Sequence, residues 1–417
     1  MRILWFSTNS ANYISTQTCS GGYNGGGWMS SLQNELENID SVNLAICFCK
    51  DGEPSMVEQN GTIYYPVANH IKSKKDKILD LIHYNDVRRD EIRWKHYIES
   101  YKNVIKDFKP DVIEVFGSEL YIGLATIAAK EMNIPCVLHI QGLLSLYIYT
   151  FLTPGVSKWS YYMSKGFKGI YSNFQYLTYW KRSCYREKAI LNAVDHVIGR
   201  TDWDRQALEI LNPKAKYHYG GEILRPVFYD KAERKIPNIP TITTTISFPL
   251  YKGYDLILKT ANILKNEMGM DYQWNIYGNV DTSFIEKNTG LSHKDLNINL
   301  CGVASAQQLC DALLNSMLYF HSSYVENSSN SVAEAHMLGI PVVATNVGGT
   351  ADMVEDKKSG FLFPSTDPYM AAYYISQLIK NKDLNIQMGK VGMEIARQRH
   401  NKQNIVEELI NLYKEIM

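Results

Sequence analysis

The chain has 417 residues, which is too long for one ordinary domain and predicts two domains, each with its own hydrophobic core. Lys and Arg together number 43, as do Asp and Glu, so no global field favours nucleic acid or a membrane. The seven scattered cysteines have no Cys-x-x-Cys spacing, which argues against a disulfide framework or a zinc site and favours a reducing cytoplasm. No window approaches the roughly 18 apolar residues of a membrane-spanning helix, and the apolar run at 1–7 is too short for a signal peptide.

Strand-like apolar runs recur through the first half of the chain, mostly separated by helical or loop segments. They span 2–8, 43–49, 62–67, 111–116, 135–141 and 196–200. This alternation predicts a mainly parallel, doubly wound α/β sheet, in which ligands bind at the carboxyl ends of the strands. The stretch 70–108 is charged, with apolar residues at helical spacing, and predicts a long amphipathic helix.

A glycine-rich segment at 21–27 directly precedes a helical pattern and ends in Gly25, Gly26 and Gly27. Glycines there would let a ligand approach the backbone closely at a helix N-terminus. The spacing is not that of the G-x-G-x-x-G dinucleotide fingerprint. The alternative is a flexible turn without a ligand.

His139 and Gln141 lie two residues apart in the predicted strand 135–141, so their side chains are expected on the same face near its carboxyl end. This position makes both residues candidates for an active site. A core histidine with satisfied hydrogen bonds is the alternative for His139.

The segment 143–186 contains no acidic residue but has six Lys or Arg, eight Tyr, two Trp and three Phe. It could bind an anionic or lipid-linked acceptor and make a peripheral membrane contact, with aromatic rings stacking on sugars or entering the interface. It could equally form an aromatic helical pair in the core, with its basic residues extending outward to water.

Two further features organise the middle of the chain. Asp202 and Asp204 open a predicted helix, where an aspartate is an ordinary cap, so we predict no essential metal. Prolines and mixed charge at 226–240 predict the linker between the domains. Beyond it, Lys252 lies at a strand-to-helix junction, where its ammonium group can reach a phosphate.

The stretch 318–349 is typical of a strand, a polar loop, a short helix from about 332 to 338 and a second strand at 341–345. The loop amides and small side chains just before the helix suit a phosphate or diphosphate. These are Asn327, Ser328, Ser329, Asn330 and Ser331. Glu326 and Glu334 would repel such an anion, but their carboxylates suit sugar hydroxyls on either side of it. A capping box formed by Ser331 and Glu334 is the alternative for Glu334.

The Glu326-x7-Glu334 spacing, continued by Gly339-x-Pro341 and by Gly348-Gly349, resembles the signature of the family 4 retaining glycosyltransferases of GT-B fold. The sequence of the loop is similar to that of a branch of this family associated with bacterial polysaccharide and capsule assembly. The resemblance is specific over about 318–364, moderate over the rest of the C-terminal half and weak in the N-terminal half.

The resemblance implies a role for each matching residue. Glu326 would contact the donor sugar, Glu334 the nucleotide ribose, the amides of 327–331 the diphosphate, and Lys252 a phosphate. The glycines at 25–27 would face the diphosphate and the acceptor. Further along the chain, the nucleotide base would lie at Gly278, Gly302 and Val303.

Two positions depart from the family pattern. The family histidine falls on Gln141, with His139 one pleat earlier, which leaves the identity of that active-site side chain open. The family arginine of the phosphate clamp falls on Ser247, so one cation is lost unless Arg200 or Arg225 replaces it.

The resemblance implies a GT-B fold of two Rossmann-like domains facing across a cleft. The predicted limits are 1–225 for the acceptor-binding domain, 241–398 for the nucleotide-sugar domain and 399–417 for a C-terminal helix that returns to the first domain.

The expected activity is retaining transfer of a sugar from a UDP- or GDP-sugar co-substrate to a glycan or lipid-linked saccharide, without a cofactor or nucleic acid. The expected location is the cytoplasm, or the inner face of the membrane through 143–186. A non-catalytic scaffold that binds nucleotide-sugar and a GT-B sugar phosphorylase are the alternatives.

Overall fold

Runs rich in β-branched and aromatic residues form the parallel strands of two separate sheets, as their apolar patterning dictates. The computed structural model describes residues 1–14, 27–150, 152–230 and 233–417. The predicted ligand-binding glycines Gly25 and Gly26 lie outside the described residues, whereas Gly27 is the first residue of a helix. The chain divides into two compact units.

The first unit comprises Met1–Ile148, Lys165–Ile223 and Lys402–Met417. Its eight described strands are β1 (Arg2–Ser7), β2 (Asn43–Cys49), β3 (Val57–Gln59), β4 (Thr62–Val67), β5 (Val112–Phe116), β6 (Cys136–His139), β7 (His196–Gly199) and β8 (Lys216–Tyr219). They are ordered β3-β4-β2-β1-β5-β6-β7-β8. All neighbouring strands pair in parallel except β3, which is antiparallel to β4.

The helices of this unit are α1 (Gly27–Glu37), α2 (Lys74–Ile82), α3 (Glu91–Phe108), α4 (Ala125–Glu131), α5 (Leu144–Tyr147), α7 (Gly166–Leu191), α8 (Asp202–Leu211) and α15 (Lys402–Ile416). The single helix predicted over 70–108 is wrong, because α2 and α3 are separated by a loop and a short 3₁₀ turn at Val87–Asp90. The C-terminal helix α15 belongs to the first unit, and its Tyr413 hydroxyl accepts a hydrogen bond from Trp5 Nε1 at 3.1 Å.

The second unit comprises Tyr149–Ser164 and Leu224–Asn401. Its strands are β9 (Thr241–Thr245), β10 (Gln273–Tyr277), β11 (Ile298–Gly302), β12 (Leu318–His321), β13 (Val342–Thr345) and β14 (Gly360–Phe363). They form an all-parallel sheet of order β11-β10-β9-β12-β13-β14. Its helices are α6 (Lys158–Met163), α9 (Tyr254–Asn262), α10 (Ser283–Thr289), α11 (Ala306–Leu314), α12 (Asn330–Met337), α13 (Pro368–Lys380) and α14 (Lys382–Arg399).

The segment predicted as a linker, 226–240, packs within the second unit over its described part. Arg234 extends inward and donates to the carbonyl oxygens of Met317 at 2.6 Å and Gly339 at 3.1 Å and to Asn385 Oδ1 at 2.6 Å. These hydrogen bonds tie the half-buried Arg234 to the second unit. The boundary between the units therefore falls between Ile223 and Leu224, and residues 149–164 also leave the first unit.

The reversal of strand order in each sheet sets the position of a ligand site. In the second unit the chain moves from β9 outward to β10 and β11, then returns to the other side of β9 as β12. In open α/β sheets, ligands bind beyond the carboxyl ends of the strands at such a switch point. Lys252 and Glu326 follow β9 and β12, the two strands that flank this point.

None of the described helices is both long enough and apolar enough to cross a membrane.

Candidate functional site

The loop after β12 carries Glu326, whose side chain is nearly buried against three polar neighbours. Its Oε2 atom lies 2.5 Å from Lys252 Nζ, 3.3 Å from Ser323 Oγ and 3.3 Å from His321 Nε2. Burial raises the pKa of Glu326, but the positive charge of Lys252, with a smaller contribution from His321, outweighs it and holds the pKa well below its usual range. Glu326 is therefore a carboxylate at neutral pH.

Lys252 is fixed in place by its own backbone. Gly253 has a φ of 72° and is the N-cap of α9, and a Cβ atom at this position would lie 2.0 Å from the carbonyl oxygen of Ser322. Only glycine allows the two backbones to approach so closely. Ser322 Oγ also donates to the carbonyl oxygen of Lys252 at 2.7 Å. The turn after β9 is thereby held against the loop after β12, which brings the ammonium group to Glu326.

Glu326 is held from the opposite side by the glycine pair after β13. Gly348 has a φ of 51°, and a Cβ atom there would lie 1.8 Å from the carbonyl oxygen of Glu326. The amide of Gly349 donates to the same oxygen at 3.1 Å. The glycine pair of the sequence signature thus has a direct structural task, which is to fix the backbone of the carboxylate.

The predicted phosphate-binding loop runs from Asn327 to Ser331, and its last two residues begin α12. The amide of Ser329 contacts Met353 Sδ at 3.1 Å, and Ser331 Oγ pairs with the hydroxyl of Tyr319 at 2.7 Å. The backbone amides of Asn330 and Ser331 have no acceptor among the described residues. Two unsatisfied donors at a helix N-terminus are suited to an anion.

Glu334 lies on α12 and is buried with both carboxylate oxygens engaged. Arg225 Nε lies 2.8 Å from Oε1 and Arg225 Nη2 lies 2.8 Å from Oε2. The capping box considered for Glu334 is wrong, because the N-cap of α12 is Ser329 and its side chain makes no capping hydrogen bond. Arg225 therefore belongs to the neighbourhood of the motif, although its partner is the second glutamate.

The residues predicted to surround the nucleotide base lie on two adjacent strands. Gly278 follows β10 and its amide donates to the carbonyl oxygen of Gly302, at the end of β11, at 2.8 Å. Val303 follows directly, is exposed, and lines a cavity of about 520 Å³ with Tyr277 and Cys301. Ser247 is an exposed residue of the loop after β9. The structure thus brings Gly278, Gly302 and Val303 together.

In the first unit, His139 is the last residue of β6 and is buried. Its Nδ1 atom lies 2.9 Å from Glu114 Oε1, and burial lowers the pKa of His139 against the opposing effect of Glu114. The Nε2 atom has no partner among the described residues. His139 also lines a cavity of about 310 Å³ beside α15. Among the described residues, His139 therefore has a hydrogen-bond partner at only one of its two ring nitrogens. A core histidine with all its hydrogen bonds satisfied would have a partner at both.

Gln141 lies beyond the end of β6, so the prediction that it shares a strand face with His139 is wrong. It lies in the turn that follows, near Gly117 and the carboxyl group of Glu119. Glu119 accepts a hydrogen bond from the amide of Gly142, and burial together with the nearby charge of Glu187 raises the pKa of Glu119 to about 7. A carboxyl group that titrates near neutrality is suited to proton transfer.

Asp204 has a capping role in the first unit, and Asp202 is the first residue of the same helix. Thr201 is the N-cap of α8, and Asp204 completes a reciprocal capping box as the third helical residue. Asp202 pairs with Arg205 at 3.0 Å on the surface. The cap itself is therefore Thr201, one residue before the predicted position.

Three residues of these sites were missed by reasoning from the sequence: His321, Glu119, and Arg225 as the partner of Glu334. His321 had a usable signal, because Tyr319 and His321 alternate on one face of a buried strand that leads into the motif. Glu119 had none, since its altered pKa depends on burial and on Glu187, which is remote in sequence.

Comparison with protein families matches residues 230–394 to the model of glycosyl transferases group 1. This range contains Lys252, Glu326, Glu334 and the loop between the two glutamates.

Two relatives illustrate how far the likeness extends in sequence. A D-inositol 3-phosphate glycosyltransferase of Corynebacterium urealyticum is 35% identical over 83 residues, which is 20% of this chain and 19% of that protein. The poly(ribitol-phosphate) alpha-N-acetylglucosaminyltransferase of Staphylococcus aureus is 27% identical over 165 residues, 39% of this chain and 33% of its own length. The chain therefore spans only about a fifth to a third of these two curated relatives.

Solved structures extend the likeness to both units. Sucrose-phosphate synthase from Thermosynechococcus elongatus matches with a TM-score of 0.70 at 15% identity, over 99% of this chain and 98% of that one. Anabaena Alr3699/HepE in complex with UDP and glucose matches with a TM-score of 0.65 at 16% identity, over 100% of both chains. At such low identity the comparison establishes the fold alone, and that fold is GT-B.

Proposed function

We propose that the protein is a retaining glycosyltransferase that moves a sugar from a nucleotide-sugar donor to a glycan or lipid-linked saccharide in polysaccharide biosynthesis. The observation that carries the proposal is the Lys252–Glu326 pair at 2.5 Å, beside the unsatisfied amides of Asn330 and Ser331. One carboxylate, one ammonium group and a helix N-terminus meet at the carboxyl ends of β9 and β12. This combination suits a sugar diphosphate better than it suits either a free sugar or a free phosphate.

Each group has a separate task in the proposed reaction. Lys252 and the two amides stabilise the diphosphate, on which negative charge grows as it leaves. Glu326 accepts hydrogen bonds from sugar hydroxyls and orients the anomeric carbon. Because Lys252 has three donor hydrogens, it can contact a phosphate oxygen while keeping Glu326 ionised. We assign the ribose to Glu334, whose orientation is fixed by Arg225.

The proposed bond changes need no covalent intermediate and no metal ion. The acceptor hydroxyl attacks the anomeric carbon on the face from which the nucleoside diphosphate departs. The carbon–oxygen bond to the acceptor forms as the bond to the diphosphate breaks, and the acceptor proton passes to a departing phosphate oxygen. The anomeric configuration is thereby retained.

The donor nucleotide is the first thing to establish. UDP is a reasonable first probe, because Anabaena Alr3699/HepE, which has the same fold, was solved in complex with UDP and glucose. Calorimetric titration with UDP, GDP, ADP and their sugar conjugates should give saturable binding for one nucleotide series. Binding should weaken in the Glu334→Ala variant and persist in Glu355→Ala, whose side chain is exposed and pairs with Lys358 at 3.1 Å.

Catalysis is tested separately, by release of nucleoside diphosphate in the presence of candidate acceptors. The proposal is supported if release of nucleoside diphosphate depends on an acceptor. NMR should also show that the product linkage, axial or equatorial, matches that of the donor. Binding without release would favour a scaffold. Phosphate-dependent cleavage of a glycan without nucleotide would favour a phosphorylase.

A further inference from the structure

A cavity of about 320 Å³ in the first unit lies between α2, the start of α3 and the middle of α7. It shares no lining residue with the cavity beside His139. Its lining is both basic and aromatic. The basic side chains are Lys72, Arg93 and Arg182, and the aromatic ones include Tyr84, Tyr176 and Tyr179. Asp80 is the one carboxylate among its described lining residues.

Four cations converge on Asp80. Lys72 Nζ and Arg182 Nη1 each lie 3.2 Å from its carboxylate, Arg89 Nε lies 3.7 Å away, and Arg93 forms a direct ion pair.

The network extends to two further carboxylates. Arg93 and Arg186 both pair with Asp90, and Arg89 also reaches Asp76. Five cations thus share three carboxylates within the network, so two positive charges remain in excess. Arg93, Arg182 and Arg186 are buried, whereas the side chain of Lys72 is 40% exposed, so water screens part of the excess and an anion would compensate the rest.

Arg182 supplies a more specific indication. Only 5% of the residue is exposed, it lines the cavity, and its Nε atom has no acceptor among the described residues. Its two Nη atoms are used by Asp80 and by the carbonyl oxygen of His83 at 2.9 Å. A buried donor without an acceptor is unfavourable, so an anionic ligand that supplies the acceptor would relieve a cost already present in the fold.

The aromatic part of the lining suits a sugar. Tyr84 is 43% exposed, and its ring centroid lies 5.1 Å from that of Phe174 at an angle of 58°. Tyr176 and Tyr179 line the same cavity from the next turns of α7. Tyrosine offers an apolar face for sugar C–H groups and a hydroxyl for sugar oxygens. Basic and aromatic side chains therefore converge within one site.

We propose that this cavity binds a phosphate-bearing saccharide, with the phosphate at Lys72, Arg93 and Arg182 and the sugar against Tyr84 and its neighbouring rings. The inference deepens the proposed function, on which it rests for its role: it gives the acceptor a negative charge and a docking site in the first unit. Binding itself is independent of catalysis and can be measured without a donor.

The test is a titration of the full-length chain with a hexose 6-phosphate, inorganic phosphate and the uncharged hexose. It is carried out with the Lys252→Met variant as well as with the wild type. Phosphate binding at the nucleotide site is then recognised because the variant weakens it. Saturable binding of the hexose 6-phosphate is expected in both, with weaker binding of inorganic phosphate and little of the hexose.

Variants locate the binding. Lys72→Ala should weaken binding of the hexose 6-phosphate about fivefold to tenfold, the equivalent of one charge-assisted hydrogen bond. Tyr84→Ala should weaken the hexose 6-phosphate while leaving inorganic phosphate unchanged. Lys75→Ala is the matched control, because Lys75 is an exposed lysine of α2 outside the cavity lining. Lys72 and Tyr84 are both exposed enough for these variants to fold.

A second arm identifies the source of the phosphate. Vesicles of phosphatidylcholine with an isoprenoid phosphate should compete with the hexose 6-phosphate if the ligand is lipid-linked, whereas pure phosphatidylcholine should not. Lack of competition indicates a soluble ligand, and either result is compatible with the site. The site is refuted by the absence of saturable binding, or by equal weakening in Lys72→Ala and Lys75→Ala. Sugar phosphate binding without any glycosyl transfer would instead refute the proposed function and leave the site standing.

Discussion

Arg225 and Glu334 form a two-point ion pair, in which two guanidinium nitrogens each lie 2.8 Å from a different carboxylate oxygen. The pair joins the segment that enters the second unit to α12, the helix whose N-terminus forms part of the candidate donor site. Planar bidentate geometry fixes the orientation of the carboxylate as well as its charge. Arg225 therefore helps to orient Glu334. Its removal should weaken nucleotide binding even though Arg225 itself does not contact the nucleotide.

Replacing either partner should destabilise the protein and weaken nucleotide binding together. Arg225→Ala or Glu334→Ala alone should lower the free energy of unfolding by about 2–4 kcal/mol, because each removes the ion-pair partner of the other side chain. The double variant should lose clearly less than the sum of the two. Denaturant unfolding and calorimetry on all four proteins test this. Additive losses would mean that the pair has no energetic coupling.

Glu326→Gln should reduce turnover strongly while preserving nucleotide binding. The amide keeps the size of the carboxylate and hydrogen-bonding capacity, but it cannot hold the charge that pairs with Lys252. By analogy with the removal of one preorganised electrostatic group, kcat should fall about 100-fold or more. The Kd of the bare nucleotide should stay equal or improve, since the ammonium group is released from its 2.5 Å partner. Glu355→Gln is the control, and a tenfold loss of nucleotide affinity in Glu326→Gln would contradict the assignment.

The local part of this site could be predicted from the sequence, whereas the long-range part could not. Strand, loop, helix and strand are contiguous from 318 to 345, so spacing and apolar runs were enough to place Glu326 ahead of a helix N-terminus. Arg225 and Glu334 are 109 residues apart in the sequence. Their contact depends on how the segment that enters the second unit packs against α12. No local pattern encodes such a contact.

The aromatic and basic segment at 143–186 shows the same limit. Arg182 and Arg186 are buried and paired with Asp80 and Asp90, so the idea that the basic residues extend outward is wrong for these two. Arginines are usually exposed, and only the fold reveals the carboxylates that compensate them. The short strands β3, β8 and β14 were also missed; β3 and β8 have no fully buried residue, so no apolar run marks them.

Lys252→Met should weaken nucleotide binding about 10- to 100-fold, the equivalent of one or two hydrogen bonds to a charged group. It should also leave Glu326 buried without its main counter-charge, so the pKa of Glu326 should rise and the protein should lose stability. The double variant Lys252→Met/Glu326→Gln should recover stability but not binding. Lys259→Met, on the helix that follows Lys252 and 43% exposed at its side chain, is the matched control. Unchanged binding in Lys252→Met would place the diphosphate elsewhere.

His336 should make the protein less stable below about pH 6.5. It lies buried on α12, its Nε2 atom 3.2 Å from the carbonyl oxygen of Ser359, and burial, with a smaller effect of His400, lowers the pKa of His336 to about 4. An unfolded histidine titrates near pH 6.5, at about the usual value. Above that pH both states are neutral and the full stability is present. As the pH falls, the unfolded state takes up the proton first, so roughly 3 kcal/mol of stability is lost on the way down to about pH 4.

The measurement is the free energy of unfolding by denaturant at several pH values between 7 and 4. His336→Gln can keep a hydrogen bond to Ser359 without titrating, so its stability should fall less steeply over this range than that of the wild type. His83→Gln, at an exposed position, should follow the wild-type curve. Because His336 is on the same helix as Glu334, the wild type should also lose nucleotide affinity in step with stability at low pH. An identical pH dependence in His336→Gln and the wild type would show that some other group carries the proton uptake.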